Sequence, residues 1–269
     1  VAMGLGTSLA GSPFFGHDIG GYSSVGNDPS TRELWFRWCA LGAFSPIMRT
    51  HHGRKTEENW QFDRDAETLA HFVRYGREHV RLFPYIRGLA ERAGRHGTPL
   101  LMPPAMLYGG DWGRVDAWLL GEALLVAPVQ REGATSRDVE FPPGASWYDW
   151  WTGEPVTSGS FSAPVTEIPV FVAKGSVVPL LREIPDTLMS TAGEGLRTLE
   201  DVDGARTVRI FGGGGAFVEA DGTCYRVRGR PSEAATVTVT LISGSISVGG
   251  ATVEVDGTVE RAYTFDVVP

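Results

Sequence analysis

The chain has 269 residues, 42% of them hydrophobic and 10% aromatic, enough to bury a large core and to build more than one domain. A formal net charge of −8 argues against nucleic acid or an anionic membrane surface as partner, because both reward clustered Lys and Arg; a neutral small molecule fits the balance better. Cys39 and Cys224 are the only cysteines, far apart, so two reduced, buried thiols in a cytoplasmic setting are expected rather than a disulfide framework or a metal finger.

Residues 1–10 read as the end of a buried helix, broken by Gly11-Ser12-Pro13 before the short apolar strand Phe14-Phe15. The start at Val1-Ala2-Met3, without an initiator Met, marks the chain as an expected C-terminal fragment of a longer protein, with no signal sequence in view. A Gly-, Ser- and Asn-rich loop covers 20–30. The spacing of Leu34, Trp35, Trp38 and Leu41 then predicts a helix over 31–44, with Thr31 or Ser30 as N-cap. Leu69, Phe72, Val73, Val80, Phe83, Ile86 and Leu89 predict the core face of a second helical stretch over 65–95, which Pro84 must kink or divide.

After residue 97 the composition turns to short β-type runs at 123–129, 138–141, 146–151, 168–172 and 176–181. Further runs follow at 206–211, 216–219, 223–227, 236–242, 245–248 and 252–255. Gly and Asp turns space them in the pattern of β-sandwiches, with 168–179 expected to form a strand pair or one bent strand. No run approaches the ~20 apolar residues that span a bilayer.

The densest group of unusual polar residues is Gly16-His17-Asp18-Ile19-Gly20-Gly21-Tyr22. An Asp after an apolar strand, followed by paired glycines, caps ordinary turns, and it also stands where barrel enzymes place binding groups at a strand's C-terminal end. Phe44-Ser45-Pro46-Ile47-Met48-Arg49-Thr50-His51-His52-Gly53 comes next. Arg49 and His51 suit a surface pair, a helix cap or hydrogen bonds to sugar hydroxyls; metal ligation by His51 with His52 is disfavoured because adjacent side chains in an extended chain point apart.

Together these segments resemble glycoside hydrolase family 31. That family shows a DIGGF-type motif, an EL..RW helix and an F.P..R.H segment. Here they are matched by Asp18 to Tyr22, by Glu33-Leu34 with Arg37-Trp38, and by Phe44, Pro46, Arg49 and His51. The match continues through Phe83-Pro84-Tyr85, 121–129, Trp147-Tyr148-Asp149, Trp151-Thr152-Gly153 and 168–179. The resemblance implies the C-terminal end of a (β/α)8 barrel followed by two β-sandwich domains: 1–97 barrel, 98–181 proximal sandwich, 182–269 distal sandwich. It further implies hydrolysis of α-glycosidic bonds with retention. Asp18 and His51 would bind sugar hydroxyls where the bond breaks, Tyr22 would line the same pocket, and Arg49 would support its wall.

The departures have consequences. The family's two catalytic aspartates, in W.DMNE-type and GDN-type motifs, have no counterpart here and are expected upstream of Val1, so the fragment alone is expected to be inactive. Met102 stands where the family commonly has Arg. Sulfoquinovosidases of the same family share the DIGGY and MRTH forms seen here at Tyr22 and Met48 to His51, which keeps that activity open as an alternative. A non-catalytic carbohydrate-binding module is another. Of the tryptophans, Trp35, Trp38, Trp147, Trp150 and Trp151 fit core positions, whereas Trp60, in the irregular 52–62 loop, is a candidate sugar-binding platform. The 200–204 run lacks the further ligands of a calcium loop, and 212–215 lacks the helix and Lys of a phosphate loop, so no metal and no cofactor are expected.

Overall fold

The computed structural model describes residues 1–23, 28–53, 55, 57–189 and 195–269, so parts of the 20–30 and 52–62 loops lie outside the described residues. By packing, the chain divides into two compact units, Val1–His79 with His96–Phe171, and Val80–Arg95 with Val172–Pro269. No helix among the described residues is long and apolar enough to cross a membrane.

The first unit opens with α1 (Ala2–Leu9), β1 (Gly16–Asp18), α2 (Arg32–Ala43) and β2 (Ile47–Arg49). The expectation of a buried first helix needs correction: α1 buries Gly4, Leu5 and Ser8 but leaves Met3 74% exposed. Phe14 and Phe15 are not strand residues either. Phe15 packs its ring where a Cβ on Gly4 would come within 2.9 Å, acting as a wedge against the helix, and the ladder starts only at Gly16.

Thr31 caps α2 by accepting from the Leu34 amide at 3.2 Å, and Trp35, Phe36, Cys39, Ala40 and Ala43 form its buried face. The helix is the crossover that lets β1 and β2 pair in parallel. A relay of hydrogen bonds fastens it to β1: Trp38 Nε1 donates to His17 Nδ1 at 2.7 Å, so the proton on Nε2 faces Ser45 Oγ at 3.1 Å. Ser45 in turn donates to the Leu41 carbonyl at 3.0 Å.

The next helix departs from its apolar spacing. α3 (Ala66–Arg81) leaves Leu69 and Val73 exposed and buries Thr68, His71, Tyr75 and Glu78. Each of these polar side chains has a partner, which removes the desolvation penalty that favours an apolar face. Thr68 Oγ1 accepts from Trp60 Nε1 at 3.1 Å and His71 Nε2 donates to the Phe36 carbonyl at 2.9 Å. Tyr75 donates to the Thr166 carbonyl at 2.9 Å, while Glu78 accepts from Trp150 Nε1 at 2.8 Å. The His71 ring also stacks on Phe36 at 4.2 Å. Pro84 divides the helical stretch as expected, falling in the first turn of α4 (Phe83–His96), where its missing N–H is harmless.

The β region of this unit runs through β3 (Leu101–Met102), α5 (Ala105–Tyr108), β4 (Trp118–Leu120), β5 (Leu124–Val126), β6 (Ser136–Val139), β7 (Trp147–Asp149), β8 (Pro155–Val156), β9 (Gly159–Ser162) and β10 (Val170–Ala173). One sheet has the order β3-β4-β5-β10-β7-β8, and β6 pairs with β9. β4 was not legible because every residue in it is buried, so it shows no alternation. Met102 is fully buried in β3 opposite Leu119, an apolar position with no use for a charge. Glu33 and Arg37 of α2 clamp this region: Glu33 accepts from the Gly133 amide at 3.0 Å and from Arg37 at 2.8 Å, while Arg37 donates to the carbonyls of Ala134 and Ala163.

The second unit adds β11 (Ser176–Leu181), α6 (Leu199–Val202), β12 (Ala205–Phe211), β13 (Ala216–Val218), β14 (Cys224–Arg228), β15 (Ala235–Val248) and β16 (Ala251–Val268). The expected strand pair over 168–179 does not form. β10 and β11 belong to different sheets, separated by a turn at Gly175, whose φ of 87° suits glycine. The runs at 236–242 and 245–248 are one strand, because a bulge between Leu241 and Ser243 absorbs the irregularity. β16 is 18 residues long and has three neighbours: β15 pairs with it along one edge, while on the other its first half pairs with β14 and its second half, in parallel, with β12. Val253 and Val255 from one half and Tyr263, Phe265 and Val267 from the other enter the same core. α4 lies against β13 through Gly88, where a Cβ would meet the Val218 carbonyl at 2.8 Å.

A buried ionic network closes this unit. Arg206 Nε donates to both Glu219 oxygens at 3.2 and 3.1 Å, and its Nη2 to Asp203 at 2.6 Å. Arg261 donates to Asp203 at 2.9 Å and to Asp221 at 2.7 Å, and the Tyr225 hydroxyl donates to Glu219. The Asp203 carboxylate is therefore committed to two guanidinium groups. Arg206→Met should destabilise this unit by about 3–5 kcal/mol, since it strands the buried Glu219 charge, whereas Arg206→Met with Glu219→Leu should recover much of the loss; urea unfolding measures both.

Burial lowers the pKa of His17 and of His71 to about 4, and both are neutral at pH 7. An unfolded His titrates near 6.5, so unfolding takes up protons between about pH 4 and 6.5. Stability should be full above pH 6.5 and fall on acidification through that window. The expected result is a decreasing melting temperature below pH 6.5, with a shallower slope in His71→Gln, which keeps a donor toward Phe36.

Candidate functional site

The site begins with strand register. β1 and β2 pair in parallel with Asp18 opposite Arg49, and the Ile19 amide donates to the Arg49 carbonyl at 3.0 Å, which carries the pairing one residue further. Residues opposite one another on parallel strands share a face, so Asp18, Arg49 and, two residues on, His51 converge. Arg49 Nε donates to Asp18 Oδ1 at 2.6 Å, and Arg49 Nη2 lies 3.4 Å from His51 Nδ1. His51 Nδ1 is 3.9 Å from Asp18 Oδ1, beyond a hydrogen bond. The carboxylate is largely buried, at 15% side-chain exposure, while Arg49 and His51 are more than half exposed. The bond to Asp18 raises the Arg49 pKa further above its already high value.

The glycines that follow have physical reasons. Gly20 and Gly21 take φ of 80° and 89°, and a Cβ on Gly20 would press on Trp35 at 2.8 Å. This turn brings Tyr22 back over His51, with ring centroids 4.8 Å apart, and leaves Tyr22 48% exposed. Gly53 donates its amide to the Tyr22 carbonyl at 2.8 Å, and any side chain there would occupy the tyrosine ring.

A cleft of about 650 Å³ is lined by Thr50, His51, His52, Glu57, Gln61, Asp63 and Arg64. His52 was considered from sequence only as a metal ligand. Its two ring nitrogens are buried with no hydrogen-bond partner among the described residues, and burial lowers its pKa. Among the described residues, no three His, Cys, Asp or Glu side chains group as metal ligands would.

Trp60 is engaged by Ser30, Thr68 and Arg64. Its indole N–H is committed to Thr68, its amide donates to Ser30 Oγ at 3.0 Å, and Arg64 lies over its ring at 5.7 Å. These contacts tie the 52–62 loop to the start of α2 and α3. His17, one residue before Asp18, is used internally by Trp38 and Ser45. The arrangement thus offers one carboxylate whose Oδ1 is held by Arg49 and whose Oδ2 makes no hydrogen bond among the described residues, beside an exposed imidazole and an aromatic ring. Such a set has the donors and acceptors that hydrogen bonds to hydroxyl groups require.

Residues 1–89 match the glycosyl hydrolases family 31 TIM-barrel domain and residues 97–178 the glycosyl hydrolase family 31 C-terminal domain. The chain is 36% identical to a sulfoquinovosidase of Escherichia coli (strain K12) over 64% of its own length and 26% of that protein's. It is 32% identical to alpha-glucosidase 2 of Bacillus thermoamyloliquefaciens over 82% of its own length and 27% of that protein's. The chain thus spans about a quarter of the length of these curated relatives. Among solved structures it resembles a Flavobacterium johnsoniae GH31 dextranase complexed with glucose, at a TM-score of 0.67 and 25% identity, over 93% of this chain and 35% of that one. With two successive domains of one family in register and relatives of that family in both sequence and structure, the chain belongs to glycoside hydrolase family 31.

Proposed function

We propose that the whole protein hydrolyses α-glycosidic bonds of O-glycosyl compounds with retention, and that Asp18 and His51 hold hydroxyls of the sugar whose bond is cleaved. The observation that carries this reading is the Asp18 carboxylate, fixed through one oxygen by Arg49 and, among the described residues, without a hydrogen bond at the other, with His51 beside it. A carboxylate already oriented by a guanidinium loses little freedom when a hydroxyl docks, and its charge-assisted bond belongs to the stronger class. Tyr22 lines the pocket and Arg49 supports its wall. In this reading 1–97 closes the (β/α)8 barrel, with 98–181 and 182–269 as proximal and distal sandwiches. Retention needs two carboxylates roughly 5 Å apart across the bond, and this chain contains neither family motif that supplies them.

A second reading, sulfoquinovoside hydrolysis, is favoured by a specific feature. Tyr22 with Met48-Arg49-Thr50-His51 has the DIGGY and MRTH forms, and a relative named sulfoquinovosidase is 36% identical. Initial rates of the whole protein on p-nitrophenyl α-sulfoquinovoside and p-nitrophenyl α-glucoside separate the two, and the preferred substrate should lead in kcat/KM by at least about a hundredfold. Equal rates, or none on either, would defeat both substrate readings.

In the whole protein Asp18→Asn should lower kcat/KM by roughly 30- to 1000-fold, or about 2–4 kcal/mol, since hydroxyl contacts strengthen toward the oxocarbenium-like transition state. His51→Ala should lose less, because a neutral hydrogen bond is weaker. The exposed Glu260→Gln should change nothing. Well-folded Asp18→Asn protein with near-normal kinetics refutes the assignment. The 269-residue chain alone should release no p-nitrophenol above a buffer control.

A further inference from the structure

We infer that the free edge of β15 is a self-association surface, through which two copies of this chain pair antiparallel about a two-fold axis at Thr238. β15 is a 14-residue strand hydrogen-bonded to β16 along one edge, and among the described residues no other strand pairs with it. Its other edge presents backbone donors and acceptors with no strand partner among the described residues, an edge that proteins ordinarily guard with charge, proline or a covering element. No guard is present here. From Ala235 to Val248 there is no charged residue and no proline, whereas the adjacent β16 carries Glu254, Asp256, Glu260, Arg261 and Asp266.

The side chains also stop short of closure at this edge. Val237, Val239, Leu241 and Ile246 pack against the core of the unit but are only partly buried. Thr236, Thr238 and Thr240 form an exposed row on the other face. A strand added over 235–241 would finish burying Val237, Val239 and Leu241.

A second copy fits that place because the strand is self-complementary. About Thr238, an antiparallel partner puts Thr236 opposite Thr240, Val237 opposite Val239 and Thr238 opposite its own symmetry mate. Valine thus meets valine on the core side and threonine meets threonine outside, both favourable cross-strand pairs. The contact is isologous and closes at two copies. It also evades repulsion: each chain carries a net charge of −8, and this edge contributes none of it.

Sedimentation of the whole protein over a concentration series tests the proposal. The wild type should show a reversible monomer–dimer equilibrium, with the edge-facing amides of 235–241, the span that pairs about Thr238, slower to exchange in the dimer. Thr238→Lys and Thr238→Glu each set like charges face to face and should weaken dimerisation at least about tenfold. Neither should alter the circular dichroism or melting of the monomer, because residue 238 faces solvent. Mixing the two variants should restore a dimer containing one of each. A wild type monomeric into the hundreds of micromolar, an open-ended assembly, or a dimer indifferent to both substitutions would overturn it; so would two weakened variants that fail to recombine.

Discussion

The parallel register of two three-residue strands, with Gly16, His17 and Asp18 opposite Ile47, Met48 and Arg49, is the constraint on which the candidate site depends. A slip by one residue would turn Asp18 to the opposite face and separate it from Arg49. So short a ladder cannot hold register alone. It is fixed by α2, through Trp38, His17 and Ser45, and by the buried Ile19, which packs at Gly42. The family motif therefore carries two kinds of residue. Asp18 and His51 are the residues proposed to meet a sugar, while Ile19, Gly20, Gly53, Glu33 and Arg37 hold the strand ends and the neighbouring loops in place.

The helices of the first unit are joined by hydrogen bonds from buried polar side chains to backbone carbonyls and indole N–H groups. His71 reaches Phe36, His79 reaches the Ala43 carbonyl at the end of α2, and Tyr75 reaches Thr166. Each bond has one geometry, so this face of α3 specifies rotation and depth more sharply than an all-apolar stripe would. The histidines remain neutral because burial opposes their charged form, which links the integrity of the scaffold around the site to pH.

The second unit solves a different problem. Its core is shared by both halves of β16, so the long hairpin with β15 folds one continuous strand around a single apolar interior. That economy leaves β15 at the margin, half-covered and uncharged, while the ionic demand of the unit is met internally by Arg206, Arg261 and their three carboxylate partners. Stability and association are thus handled by different parts of the same sheet.

The sequence by itself determined the α2 helix and a cap at Thr31 or Ser30, which the structure resolves to Thr31, the division of the helical stretch at Pro84, most β runs and the motif residues Asp18, Tyr22, Arg49 and His51. These signals are local: a cap, a ring without an N–H, an alternation, a glycine pair. Only the tertiary structure decided that Leu69 and Val73 face outward while Thr68, His71 and Glu78 are buried, because burial of a polar group depends on a partner distant in sequence. It likewise joined the Trp60 indole to Thr68, left both nitrogens of His52 without a hydrogen bond among the described residues, and made 260–268 the second half of β16. Pattern reports which residues prefer to be inside; which of them touch is set by strand register and helix rotation, and those follow from contacts the chain makes only once it is folded.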